Sequence, residues 1–115
     1  MYIASEKKIR EEKINMRGGD GTVVLNAFLP VGQLPPHCRL FSEIVVEPGC
    51  SIGRHTHTGE SEIYYILEGE GILDDNGNRL TMKAGDFSIC RDGDYHSIAN
   101  GSDKVLRLIG CIILQ

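Results

Sequence analysis

From Thr22 onward the chain is a succession of short β-type runs separated by turn chemistry, and that rhythm restricts the fold class more than any other feature. The runs cover residues 22–28, 39–47, 62–68, 71–74, 78–82, 87–90, 96–100 and 104–114. Between them stand Pro48-Gly49, Gly69-Glu70-Gly71, Asn76-Gly77, Ala84-Gly85-Asp86 and Asp92-Gly93-Asp94. Asn76-Gly77 lies between Ile72-Leu73 and Leu80, and this dipeptide accepts the positive φ angles of a type I′ hairpin. Glycine supplies 14 of the 115 residues, well above the ~7% average, as many tight turns require. Eight short strands predict an all-β fold in one domain of ordinary size.

Residues 5–14 are the one stretch of helical composition, and Arg17-Gly18-Gly19-Asp20-Gly21 ends it sharply, so a short peripheral helix is expected there. Residues 1–21 are accordingly expected to form an N-terminal extension packed on a β domain of residues 22–115. The runs 39–46 and 105–113 are apolar on both alternating faces, which fits strands covered on both sides. One face toward a core and the other against a second copy of the chain would provide that cover, and a homodimer is the expectation.

A net charge of -4, with the 12 basic residues scattered, offers no cationic stripe for a phosphate backbone, so nucleic acid is not an expected partner. The apolar runs 22–29 and 105–114 are far shorter than the ~20 residues that span a bilayer, so no membrane association is expected. The charged N-terminus carries no signal-peptide pattern, and a cytoplasmic location is expected. Cys38, Cys50, Cys90 and Cys111 form no C-x-x-C pair; Cys90 and Cys111 lie in β-like or apolar runs and are expected to be small packing residues.

Three of the four histidines enter one constellation, which starts at His55-Thr56-His57. On a helix, residues two apart point to nearly opposite sides. On a strand they share a face with Cβ atoms ~6–7 Å apart, so two imidazoles can converge on one ion. H-x-H by itself does not make a metal site. Its surroundings extend it: residues 49–69 follow G-x5-H-x-H-x4-E-x6-G through His55, His57, Glu62 and Gly69, and residues 85–100 follow G-x7-G-x2-H-x3-N through Gly93, His96 and Asn100.

Together these two patterns resemble those of the cupin superfamily, across about half the chain. The resemblance implies a small double-stranded β-helix, or jelly-roll barrel, with one divalent metal ion in its wider mouth. It also implies the ligands: His55, His57 and Glu62 from the first motif and His96 from the second. One departure is Arg91, where the second motif usually has proline two residues before its glycine; the turn is expected to survive on Asp92-Gly93-Asp94, with Arg91 facing water or meeting an anion at the mouth. Glu60 shares a strand face with Glu62, but the spacing to Gly69 favours Glu62, and Glu60 is expected to be an exposed loop carboxylate. His37 matches no motif position and is expected in a loop. Tyr64 should face the lumen, where its hydroxyl either touches a metal-bound ligand or packs; Glu43 and Arg39 are further lumen candidates from strand parity.

Three imidazoles and one carboxylate suit Mn, Fe, Co, Ni or Zn and leave an octahedral ion two open positions. A cation in a lumen favours a small oxygen-rich metabolite: an oxalate-like diacid, a 2-oxo acid, a diol or a sugar phosphate. Two functions are compatible with such a centre. The favoured one is a metalloenzyme of dioxygenase, decarboxylase or isomerase type, with Tyr64 as the candidate catalytic residue and no base identified; the alternative is a non-catalytic metal-dependent binding module.

Overall fold

A computed structural model describes all 115 residues. It holds ten strands: β1 (Ile9–Ile14), β2 (Thr22–Ala27), β3 (Cys38–Val46), β4 (Ser51–Thr56), β5 (Glu60–Glu68), β6 (Glu70–Asp75), β7 (Asn78–Lys83), β8 (Phe87–Cys90), β9 (Tyr95–Ala99) and β10 (Leu106–Leu114). Six form one antiparallel sheet in the order β1-β2-β3-β10-β5-β8, and four form the other in the order β4-β9-β6-β7. The inner faces of both meet in a single apolar core, with Val23, Ile44, Val46, Ile66, Leu106 and Leu108 from the first and Ile52, Leu73, Met82 and Ile98 from the second. The result is the jelly-roll β-barrel that the turn rhythm and the motifs anticipate.

Strand alternation builds this core directly. In β10, Leu106, Leu108, Gly110 and Ile112 face inward while Arg107, Ile109 and Cys111 face out, and each fully buried leucine or isoleucine contributes roughly 1.5–3 kcal/mol. The β6–β7 hairpin closes as expected, with Asp75 opposite Asn78 and both Asn76 (φ 52) and Gly77 (φ 94) in the left-handed region.

The N-terminal segment departs from expectation. Only Ser5–Lys7 forms a single 3-10 turn, and Ile9–Ile14 is a strand paired with β2 from Ile9 opposite Ala27 to Ile14 opposite Thr22. Charged residues with good helix propensity lie here, but the free edge of β2 satisfies their backbone groups as a ladder. A signal was present in the sequence: Arg10 pairs with Glu12 at 2.9 Å and Lys13 with Glu11 at 2.7 Å, and residues two apart share a face on a strand, not on a helix. Strand β4 was likewise absent from the expected runs, because Ser51, Gly53, Arg54 and His55 give it little apolar content.

Asn100, the last residue of the second motif, is 1% exposed and has a structural position. Its amide donates to the carbonyls of Val46 (2.8 Å) and Lys104 (2.7 Å), and its carbonyl accepts from the Ser102 backbone (3.0 Å) and hydroxyl (2.8 Å). Replacing Asn100 with alanine removes its donors from both carbonyls, of which Lys104 keeps the Ser102 hydroxyl at 3.1 Å, and should cost about 1–3 kcal/mol in urea unfolding. Metal content of the folded variant should stay at the wild-type value, since the side chain does not approach the histidines.

Candidate metal centre

A bulge decides which way the first motif faces. Along β4 and β9, Ser51 and Ile52 oppose Ala99 and Ile98, but after Gly53 and Arg54 the register slips and His55 opposes His96 directly. Ile52 is even-numbered and points into the barrel; one extra residue turns the odd-numbered His55 and His57 inward as well. Glu62 comes from β5 of the opposite sheet, where Glu62, Tyr64 and Ile66 form the buried face.

The four side chains converge. His57 Nε2 lies 3.0 Å from Glu62 Oε1 and 3.2 Å from His96 Nε2. His96 Nε2 is 3.0 Å from the same oxygen and 3.1 Å from His55 Nε2, and His55 Nε2 is 3.6 Å from Glu62 Oε1. Cis ligands of an octahedral ion with ~2.1 Å bonds stand about 3.0 Å apart, so these edges are the right length for one ion at their centre. Hydrogen bonding on the far side of two rings fixes what the near side presents. His55 Nδ1 faces the Gly53 carbonyl at 2.7 Å, and His57 Nδ1 faces the Glu60 carboxylate at 2.6 Å. Both acceptors require N–H at Nδ1, which leaves a bare lone pair on each Nε2. Lone pairs and a carboxylate gathered this closely repel unless a cation lies among them, so the donor set fits a divalent metal. All four ligand atoms lie within 4.8 Å of one another, and three of the four residues are fully buried.

Glu60 is not an exposed loop carboxylate. It begins β5, and its side chain, 12% exposed, takes two hydrogen bonds from the Arg39 guanidinium, at 2.9 Å and 2.8 Å, besides the one from His57. Strand parity places Glu60 beside Glu62, as the sequence indicated, and what sequence could not show is Arg39. Between Leu40 and Cys38 the β3–β10 register shifts, and Arg39 is the unpaired residue, free to reach the barrel mouth. Arg39 therefore does line the cavity. Glu43 does not: it lies on the outer face of the sheet, paired with Arg107 at 2.6 Å and Lys8 at 3.5 Å and accepting from Asn26 at 3.1 Å. The parity guess failed there because the inward set of β3 is Ser42, Ile44 and Val46.

Tyr64 is fully buried and stacks on the His96 ring, with centroids 4.6 Å apart and planes inclined by 8°. Burial, reinforced by the Glu62 charge, pushes its hydroxyl well up, so it stays a neutral phenol. Arg91 is exposed at a turn closed by its backbone N–H to Asp94 at 3.1 Å, and the exposed His37 takes a left-handed turn conformation (φ 70). All four cysteines are free thiols; burial raises Cys90 to about 12, while Cys111 is half-buried on the outer face.

Charge in the cavity follows from these contacts. Burial alone would raise the Glu62 carboxyl, but the N–H groups that the His55, His57 and His96 rings turn toward it when they carry a proton on Nε2 outweigh it and hold it ionised. The Arg39 hydrogen bonds, with help from His57, bring Glu60 down to about 2. His57 is raised, by Glu62 first and then Glu60 against the opposing effect of burial, whereas burial lowers His96.

Comparison with known proteins agrees with this geometry. The family model described as a cupin domain matches residues 42–112, which include all four clustered residues. The chain belongs to the cupin family. This cupin is 41% identical over 114 residues to a Thermotoga maritima protein named oxalate-binding protein, an alignment that covers 99% of this chain and 94% of that one. A crystal structure of a predicted oxalate decarboxylase from Thermotoga maritima superposes with a TM-score of 0.94 over 100% of both chains, again at 41% identity. A sugar phosphate isomerase of the cupin superfamily from Silicibacter pomeroyi, at 18% identity and a TM-score of 0.82 over 100% of this cupin and 76% of that chain, shares the fold.

Protons and a metal compete for the same lone pairs. Because the folded protein raises His57 above its ordinary ~6.5, that ring takes up its proton early as pH falls. Metal affinity should fall as pH drops through the ordinary imidazole range, the loss beginning above ~6.5 because His57 is raised, and should approach about tenfold per pH unit for each proton taken up. Glu60 stays ionised throughout this window, so the loss reports the imidazoles. Elemental analysis after dialysis at stepped pH checks this, and occupancy unchanged down to pH 4.5 would contradict it.

Proposed function

We propose that His55, His57, Glu62 and His96 hold one divalent cation, and that the protein binds a small dicarboxylate of the oxalate type on it. The observation that carries this reading is the cluster of inward lone pairs around one point at the base of a cavity. Bound there, Mn, Fe, Co, Ni or Zn would supply Lewis-acid charge and open positions for ligand oxygens.

Size narrows the ligand. The cavity beside His55, His57 and Glu62 measures about 60 Å³ and is walled by Tyr64, Ile44, Ile52 and Arg39. At about 10–15 Å³ for each water-sized position, it takes only a handful of heavy atoms, which favours a two-carbon acid over a sugar phosphate. The 41% identity with the oxalate-binding protein supports the same class.

Binding is better supported than turnover. A decarboxylase or isomerase needs a group that gives or takes a proton beside the ligand. Both Glu60 oxygens are engaged by Arg39 and His57, and a carboxyl brought down to about 2 is a weak base, while burial pushes the Tyr64 phenol so far up that it is a weak acid.

Calorimetric titration of the Mn(II)-loaded protein with oxalate should show saturable one-to-one binding that vanishes when the metal is chelated. His96→Ala should lose both metal and oxalate, although it lies 41 residues from His55 in sequence. A fully loaded protein indifferent to millimolar oxalate would sink the proposal.

The same reading includes a homodimer. Phe41, Tyr65, Phe87, Ile89 and Ile113 are each at least 37% exposed on the outer face of the six-stranded sheet, an apolar surface of the kind that marks an interface. Sedimentation should give a particle of twice 12.7 kDa, and Tyr65→Arg should return it to the monomer mass.

A further inference from the structure

The N-terminal loop sends one unpaired cation to the mouth of the cavity. Residues 15–21 form a tight loop closed by the Asn15 backbone N–H to the Gly21 carbonyl (2.8 Å) and by the Asn15 amide to the Gly19 carbonyl (3.1 Å). The loop is fastened to β4 just ahead of the histidines: the Ser51 backbone N–H donates to the Asp20 carbonyl, and the Asp20 backbone N–H to the Ser51 hydroxyl, each at 2.9 Å. The fit leaves no room for side chains at the contact. A Cβ on Gly19 would collide with the Ser51 carbonyl oxygen, and one on Gly53 with that of Arg17.

Arg17 rides on this loop in a left-handed conformation (φ 55, ψ 31) that arginine seldom adopts. It lines the same cavity as His55, His57, Glu62 and Tyr64. The other arginines around the site are neutralised: Arg39 by Glu60, and Arg54, which points outward, by Asp74. Arg17 makes no ion pair and no side-chain hydrogen bond. With a divalent cation held by Glu62 and three neutral imidazoles, and with Arg39 and Glu60 cancelling, Arg17 brings the site from one net positive charge to two. The complement of that charge is a dianion.

We infer that Arg17 is an anion-binding residue of this site, contacting the ligand oxygens that are not on the metal and selecting a dianion over a monoanion. The inference rests on the function proposed above and adds the residue that reads ligand charge. A rigid loop, a strained backbone and an absent acidic partner together present the guanidinium, whose planar fork matches a carboxylate.

The test compares metal-loaded wild type, Arg17→Gln, Arg17→Lys and Arg54→Gln in calorimetric titrations with oxalate and with glycolate, which offers similar chelating oxygens with one negative charge fewer. Arg17→Gln should weaken oxalate at least about tenfold, the loss expected for one charge-assisted hydrogen bond, and glycolate less than about threefold. Arg17→Lys should recover part of the preference, and Arg54→Gln should change neither acid. Arg17→Gly, which relieves the left-handed backbone while removing the side chain, guards against a folding defect and should show the same selective loss. Metal content should match wild type in every variant. Equal affinity for oxalate in wild type and both truncations, an equal loss for both acids, or a loss that tracks metal content would overturn the inference and leave the proposed function standing. Wild type that binds neither acid would overturn both.

Discussion

Electrostatic repulsion among inward-facing donors is the constraint around which this barrel is organised. Two imidazole nitrogens stripped of protons by their Nδ1 partners, a third imidazole and an ionised carboxylate stand 3.0–3.6 Å apart in a buried space. Such an arrangement is costly by itself, because buried polar groups must be compensated and these cannot compensate one another. A shared cation would resolve the repulsion at every edge at once. The surrounding core keeps the donors from swinging away: Tyr64 stacks on His96, and Ile44 and Ile52 wall the cavity.

Irregularities in the strands, more than the strands themselves, aim the chemistry. The slip after Ile52 rotates His55 and His57 inward, and the slip at Arg39 frees a guanidinium to reach over the rim. Without the first, β4 would present Arg54 to the lumen in place of the histidines. Both bulges sit at the open end of the barrel, where a lost ladder bond is replaced by other contacts: the Gly53 carbonyl accepts from His55, and Arg39 binds Glu60.

A second ring of charge surrounds the first. Glu60 fixes the tautomer of His57 and is itself held by Arg39, the relay by which outer groups orient a metal-binding histidine. Because Arg39 neutralises Glu60, the relay orients without adding net charge to the lumen. On the outside of the sheet, Glu43 has a comparable set of partners in Arg107, Lys8 and Asn26 and no connection to the cavity. Two buried or half-buried glutamates on neighbouring parts of the same sheet thus have different roles, decided by which face they occupy.

The strand succession, the Asn76-Gly77 hairpin and the four residues of the cluster were legible in the sequence, because alternation, turn chemistry and motif spacing are local properties written in consecutive residues. The strand at Ile9–Ile14 was not, since its hydrogen bonds come from the edge of β2 and only the i, i+2 charge pairs hinted at it. Nor was the face of Glu43, the partner of Glu60 or the place of Arg17: each depends on a register slip or a loop contact between segments far apart in the chain. Sequence specified which side chains are present and which could share a face. Tertiary structure decided which of them meet, because a one-residue slip reverses a strand's facing and only the assembled sheets determine where slips fall.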